Sequence, residues 1–166
     1  IVSKLRHFAL DIALIEGVVH HEDLDIRHWR DDELVVFCSP EHPLACKGNL
    51  DDADLLAANW ILRESGSGTR QQVDLGLPDL LARPNIDMEL QHTEAIKRAV
   101  ELGLGISCLS RLTLSAAFER GNLVPLNVPA RNFHRRLYIA THKEKYKSPA
   151  LQSWMRFLKS NSTAMP

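Results

Sequence analysis

Long apolar runs are missing from this sequence: none approaches the roughly 18 to 20 uninterrupted apolar residues that a membrane span requires. The opening residues Ile1-Val2-Ser3-Lys4-Leu5-Arg6 lack the extended apolar core of a secretory leader. A cytoplasmic protein with no membrane partner is therefore the expectation. Cysteine is scarce: Cys38, Cys46 and Cys108 are odd in number and form no C-x-x-C pair, which argues against a disulfide framework or a zinc knuckle. Cys38 and Cys108 sit in apolar runs and read as small core residues. A basic surplus is lacking too, with a formal net charge of -1 and a pI near 6.8, so this chain by itself is not expected to neutralise a phosphate backbone.

Catalytic and metal-binding patterns are equally thin. None of the eight histidines, including His20, His21 and His28, shows H-x-x-x-H spacing with a nearby acid, so they read as solvated loop residues and no metal is expected. No Ser-His-Asp order, nucleophile elbow or paired-carboxylate motif stands out, which predicts a protein that is not an enzyme and needs no cofactor.

What the sequence does contain is alternation of strand-like and helix-like segments over 166 residues, 45% of them hydrophobic, enough for one domain or two small lobes. Short apolar runs at Asp11 to Ile15, Glu33 to Cys38, Trp60 to Arg63, Ile106 to Leu109 and Leu137 to Ala140 are bounded by Gly, Ser and Pro and read as strands buried on both faces. Between Thr93 and Leu102, Ala95, Ile96, Ala99 and Val100 recur at helical spacing, with Lys97, Arg98 and Glu101 left for solvent, Thr93 as N-cap and Gly103 as terminator. A second amphipathic helix begins after Ser148-Pro149 and buries Leu151, Trp154, Met155 and Leu158. Asp51, Asp52 and Asp54 read as the acidic start of a short helix, and Asn161 to Pro166 as a frayed tail. The alternation predicts an α/β chain with mainly parallel sheets.

The most informative stretch is Trp60-Ile61-Leu62-Arg63-Glu64-Ser65-Gly66-Ser67-Gly68-Thr69-Arg70, a strand that enters a Gly/Ser/Thr loop and then a helix through Val73 and Leu75. Backbone N–H groups at a helix N-terminus carry positive partial charge and attract anions. Ser65, Ser67 and Thr69 add hydroxyls, while Gly66 and Gly68 allow close approach to the backbone. No Lys follows the glycines, and the spacing is not G-x-G-x-x-G, so nucleotide binding gains little support. His92-Thr93-Glu94-Ala95 is a second strand-to-helix junction with a hydroxyl. If the two strands are parallel neighbours, both termini face one crevice, the usual ligand position in open α/β sheets. Arg70 is a further candidate for countering an anion; Arg63, Arg131, Arg135 and Arg136 read chiefly as surface charges.

In this order the motifs resemble those of LysR-type transcriptional regulators, specifically their C-terminal effector-binding domain. Asp11-Ile12-Ala13-Leu14-Ile15-Glu16-Gly17 is similar to the family's "D-hydrophobic-A-L" segment. Glu33 through Pro43-Leu44-Ala45 is similar to its strand and "HPLA". Arg63 to Arg70 is similar to the "REpGSGTR" of the carbon-fixation and sulfite-responsive branch, as is Glu94 through Ser110. The resemblance implies a two-lobed fold like type 2 periplasmic binding proteins, with lobe one at residues 1–38 plus 142–166 and lobe two at 39–141. Family members carry a winged helix-turn-helix, a linker helix and the first strand and helix of lobe one ahead of the region matching Ile1 to Gly17. Lobe one is thus expected to lack that strand and helix here. The resemblance further implies an effector held between lobes near the hinge; the helix N-termini and hydroxyls read above make it a small anion, with Ser65, Gly66, Ser67, Gly68, Thr69, Arg70, His92, Thr93 and Glu94 as the candidate residues. It also implies homodimers through this domain, tetramers in the full protein, and DNA contact only through the N-terminal domain. The solute-binding component of a transporter shares the fold and is the other reading.

Overall fold

The computed structural model describes residues 1–16, 21–78 and 85–160. Gly17, His20 and the tail from Asn161 to Pro166, read above as a strand end, a loop histidine and a frayed end, lie outside the described residues. Two compact units divide the chain, one of residues 1–32 and 135–166, the other of residues 33–134.

The first unit holds α1 (Val2–Arg6), β1 (Ala13–Glu16), the first part of β2 (Leu24–Cys38), most of β7 (His134–His142) and α6 (Pro149–Ser160). β1 pairs antiparallel with β7, from Ala13 opposite Ala140 to Glu16 opposite Leu137, and β7 lies between β1 and β2. Being at the end of that order, β1 buries Ile15 but leaves Leu14 44% exposed, so the expectation of strands buried on both faces fails here. Leu5, Ile15, Leu24 and Ala140 form the core of the unit. Ser148 caps α6 as expected, its Oγ accepting the Leu151 N–H at 3.2 Å. Leu151 and Leu158, seven residues apart, supply the buried stripe. Trp154, expected inside, is about half exposed and stacks on the likewise exposed Phe157, centroids 5.4 Å apart. Nor are all histidines solvated: His142 closes β7 in a buried position, its ring 4.4 Å from that of Phe8.

Near the point where β2 and β7 leave this unit, Arg135 is clasped by two carboxylates. Its Nε and Nη2 each reach Asp32 Oδ2 at 2.7 Å and its Nη1 reaches Glu16 Oε2 at 2.8 Å. The Arg135 side chain is 7% exposed and that of Asp32 1%, so Arg135 is not the surface charge its sequence context predicts.

In the second unit, the chain continues through a 3-10 turn (Pro43–Cys46), α2 (Asp52–Ala57), β3 (Asn59–Arg63), α3 (Gly68–Gly76), β4 (Asn85–Leu90), α4 (Thr93–Glu101), β5 (Ser107–Ser110), α5 (Arg111–Glu119) and β6 (Val124–Pro125). The acidic run does open a helix: Asp51 and Asp54 form a reciprocal capping box on α2. β3 and β4 are parallel. β3 continues in parallel onto the start of β5, where Ile61 N–H donates to Ile106 O at 2.9 Å and Ile106 N–H to Asn59 O at 2.8 Å. The second part of β2 runs antiparallel to β5 and to β6. Sheets that are mainly parallel are therefore not what forms. Among the described residues, parallel pairing is confined to β3, β4 and Ile106 just ahead of β5, and the connections between them pass through helices.

Alternation along these strands sorts the core. Leu34, Val36, Cys38, Trp60, Leu62, Ile106 and Cys108 face one side with Leu55, Val73 and Phe133. Val35, Phe37, Ile61 and Leu109 face the other, covered by Ile96, Ala99 and Val100 of α4 and Leu114 and Ala117 of α5. Gly103 ends α4 at φ +76°, a left-handed conformation that lets Gly103 N–H reach Val100 O and Leu104 N–H reach Ala99 O. One expected position shifts: His92, extended at φ −106° and ψ 124°, is the N-cap of α4, and Thr93 is its first helical residue.

Two outcomes follow from this packing. Asp32→Ala strands a buried guanidinium, and urea unfolding should show a loss of about 3 kcal/mol; a loss within error of zero would mean that Glu16 alone holds Arg135. Burial pushes the Cys38 thiol up to about 11 and Cys108 is buried beside it, whereas Cys46 is exposed. Ellman's reagent near pH 8 should accordingly titrate one thiol in the folded protein and all three in denaturant.

Candidate anion site

Parallel pairing of β3 and β4 ends with Arg63 opposite Leu90. Both strands therefore finish at the same level, and the loops that follow lead into α3 and α4 side by side. This is the neighbour relation on which the convergence of the two helix N-termini depends.

The first loop is a tight turn. Ser67 N–H donates to Glu64 O at 3.2 Å, and Gly66 adopts φ +88°, a conformation costly for other residues. Ser67 is extended at φ −72° and ψ 144° and caps α3, its Oγ accepting Arg70 N–H at 3.0 Å. Ser65 and Gly66 are exposed, Ser67 and Gly68 half-buried, and Thr69 and Arg70 buried.

Arg70 does not project outward. Its Nε donates to Asp74 Oδ1 at 2.8 Å, its Nη1 to Arg63 O at 3.0 Å, and Nη1 lies 3.5 Å from Glu89 Oε1. The side chain fastens the first turns of α3 to the ends of β3 and β4. Arg63 is likewise engaged, gripping the neighbouring Glu64 carboxylate through Nε at 2.8 Å and Nη2 at 2.9 Å. That guanidinium holds the Glu64 carboxyl below the usual carboxylate range, with His92 adding to the effect from the second loop. Of the more distant arginines, Arg131 is paired with Asp52 at 2.8 Å, Arg135 belongs to the first unit, and Arg136 is a surface charge, 72% exposed.

The second loop offers His92 and Glu94, both exposed, and Thr93, half-buried. Glu94 pairs with Lys97 at 2.8 Å within the helix and lies in its first turn, where the positive end of the helix dipole favours a carboxylate. Sequence reading missed Glu89. Its Oε2 accepts Ser65 N–H at 3.2 Å, linking β4 directly to the first loop. The signal was present: Ile86, Met88 and Leu90 alternate with Asn85, Asp87 and Glu89, the period of a strand.

Known proteins align with this fold along almost its whole length. The family described as LysR substrate binding domain matches residues 1–163. An uncharacterized HTH-type transcriptional regulator, YeiE of Escherichia coli (strain K12), is 41% identical over 157 residues, covering 95% of this chain and 53% of that protein. The HTH-type transcriptional activator CmpR of Synechocystis is 36% identical over 165 residues, covering 99% of this chain and 54% of that protein. The chain thus spans about half the length of the curated relatives it matches. Among solved structures, the regulatory domain of CcmR from Synechocystis PCC6803, in complex with 2-PG, superposes with a TM-score of 0.78 at 32% identity, covering 99% of this chain and 79% of that one. This likeness shows the α/β, two-lobed, periplasmic-binding-protein-like fold that the resemblance implied.

Ser67→Ala removes the α3 cap while leaving Arg70 and the strands in place. Chemical denaturation should show a loss of about 1 kcal/mol. An unchanged midpoint would mean that the Arg70 contacts alone set the start of the helix.

Proposed function

Because this chain belongs to the LysR substrate-binding-domain family, we propose that it is the effector-sensing part of a bacterial transcription regulator and takes a small oxyanion or short carboxylate at the loops after β3 and β4. The observation that carries this reading is the parallel register of β3 and β4, which sets two helix N-termini next to each other. The residues assigned to the ligand are Ser65, Gly66, Ser67, Gly68 and Thr69 from the first loop, with Arg70 as the positioning group behind them. His92, Thr93 and Glu94 border it from the second loop. The relative with a bound 2-PG, similar across 99% of the chain, supports an anion of that kind.

The rest of the reading concerns the whole protein. DNA is contacted through a helix-turn-helix part outside this sequence, in keeping with relatives described as HTH-type regulators. The protein works in the cytoplasm as a homodimer through this domain and as a tetramer at full length, without catalysis and without a metal or organic cofactor. Among the described residues no helix is long and apolar enough to cross a membrane. Effector binding regulates by favouring one arrangement of the assembly over another, which requires different affinities for the two arrangements.

A thermal-shift screen against sulfite, sulfate, phosphate, 2-PG and short carboxylates tests the site. Ligand at about 100 times its Kd should raise Tm by roughly 5 to 10 °C. Thr69→Ala and Thr93→Ala should each reduce the increment, whatever they do to the ligand-free Tm. Increments equal to wild type in both variants would place the ligand elsewhere, and no increment with any anion would remove the anion reading altogether.

A further inference from the structure

The loops proposed to receive an anion already hold one of the chain's own. Glu89, the penultimate residue of β4, accepts Ser65 N–H through Oε2 at 3.2 Å and places Oε1 3.5 Å from Arg70 Nη1. Among the described residues, the cations around the loops are similarly matched: Arg63 by Glu64, Arg70 by Asp74 and Glu89, and Lys97 by Glu94. Among the described residues around the loops the carboxylates thus outnumber the cations, so an incoming anion meets net negative charge unless one carboxylate yields its place.

Geometry distinguishes Glu89 from the others. Glu64, Asp74 and Glu94 each pair with a neighbour one, four or three residues away on its own segment. Glu89 reaches across 24 residues of sequence to a backbone donor of the Gly/Ser loop. Its side chain is 46% exposed, so it can leave Ser65 for water without being buried elsewhere.

We propose that Glu89 is an intramolecular competitor for the effector. In the unliganded chain its carboxylate occupies the Ser65 N–H; an oxyanion takes that donor and Glu89 turns out to solvent, while Arg70 keeps its bonds to Asp74 and Arg63 O. The inference rests on the anion reading above and assigns to Glu89 the setting of the affinity threshold. It also predicts selectivity: multiply charged anions able to displace a carboxylate are retained, and small monovalent ones such as chloride are excluded.

Calorimetric titration of the wild-type chain, Glu89→Gln and Glu89→Ala with sulfate and with 2-PG tests it. Glu89→Gln keeps the shape and an acceptor for Ser65 N–H but removes the charge. Both anions should bind it about tenfold more tightly at low ionic strength, with the gain shrinking as salt is added. Glu89→Ala, which frees the donor as well, should bind at least as tightly as Glu89→Gln. A merely structural role for Glu89 would instead lower the ligand-free Tm and leave Kd unchanged or weaker. If wild type binds and neither variant binds more tightly, the competitor role is wrong and the anion site stands. If none of the three proteins binds either anion, the anion reading fails and this inference falls with it.

Discussion

The parallel pairing that runs from β4 through β3 to Ile106 is the constraint on which the second unit depends. Parallel neighbours cannot be joined by a tight turn, so each strand must be followed by a crossover that returns the chain to its starting edge. In this chain α3 follows β3, α4 follows β4 and α5 follows β5, and the three helices start at the ends of strands that point the same way. The same pairing that makes room for α4 and α5 over Val35, Phe37, Ile61 and Leu109 therefore aligns helix N-termini at one edge. Packing and the placement of the proposed anion site share a single geometric cause.

Much of this was legible in the residues. Ser148-Pro149, Asp51 with Asp54, and Gly103 each mark a helix end by local chemistry, and each helix end is where they put it. Local signals of this kind survive because capping bonds connect residues only a few positions apart. The Gly/Ser loop was readable for the same reason, since Gly66 and Ser67 act on their own turn. Strand direction was not readable. Whether β2 runs with or against β5 is decided by pairing of residues about 70 positions apart, and no short-range pattern encodes it.

Charge was the other part that sequence obscured. Arg70 sits in the loop motif and invites assignment to a ligand, yet its partners Arg63 O, Asp74 and Glu89 make it a fastener. Arg135 looks like its exposed neighbour Arg136, but adjacent residues on a strand face opposite sides, so one is clasped by Asp32 and Glu16 while the other is 72% exposed. A charged residue in a strand acquires its meaning from the face it takes. That face is set by register, which in turn is set by the apolar residues around it.

The contact between Asp32 and Arg135 joins residues 103 positions apart, and Leu34 N–H donates to Phe133 O at 3.1 Å just beyond it. The second unit is in this sense an insertion whose two ends meet. As the chain is synthesised, the first unit exists only as a fragment until residues 33–134 have emerged, whereas the second is continuous and carries its own core. Closing a loop of that length by chance is entropically unfavourable, but a folded insertion presents its ends already together and removes most of that penalty. Connectivity therefore favours an order in which the uninterrupted unit forms first and its adjacent ends bring the two segments of the split one together.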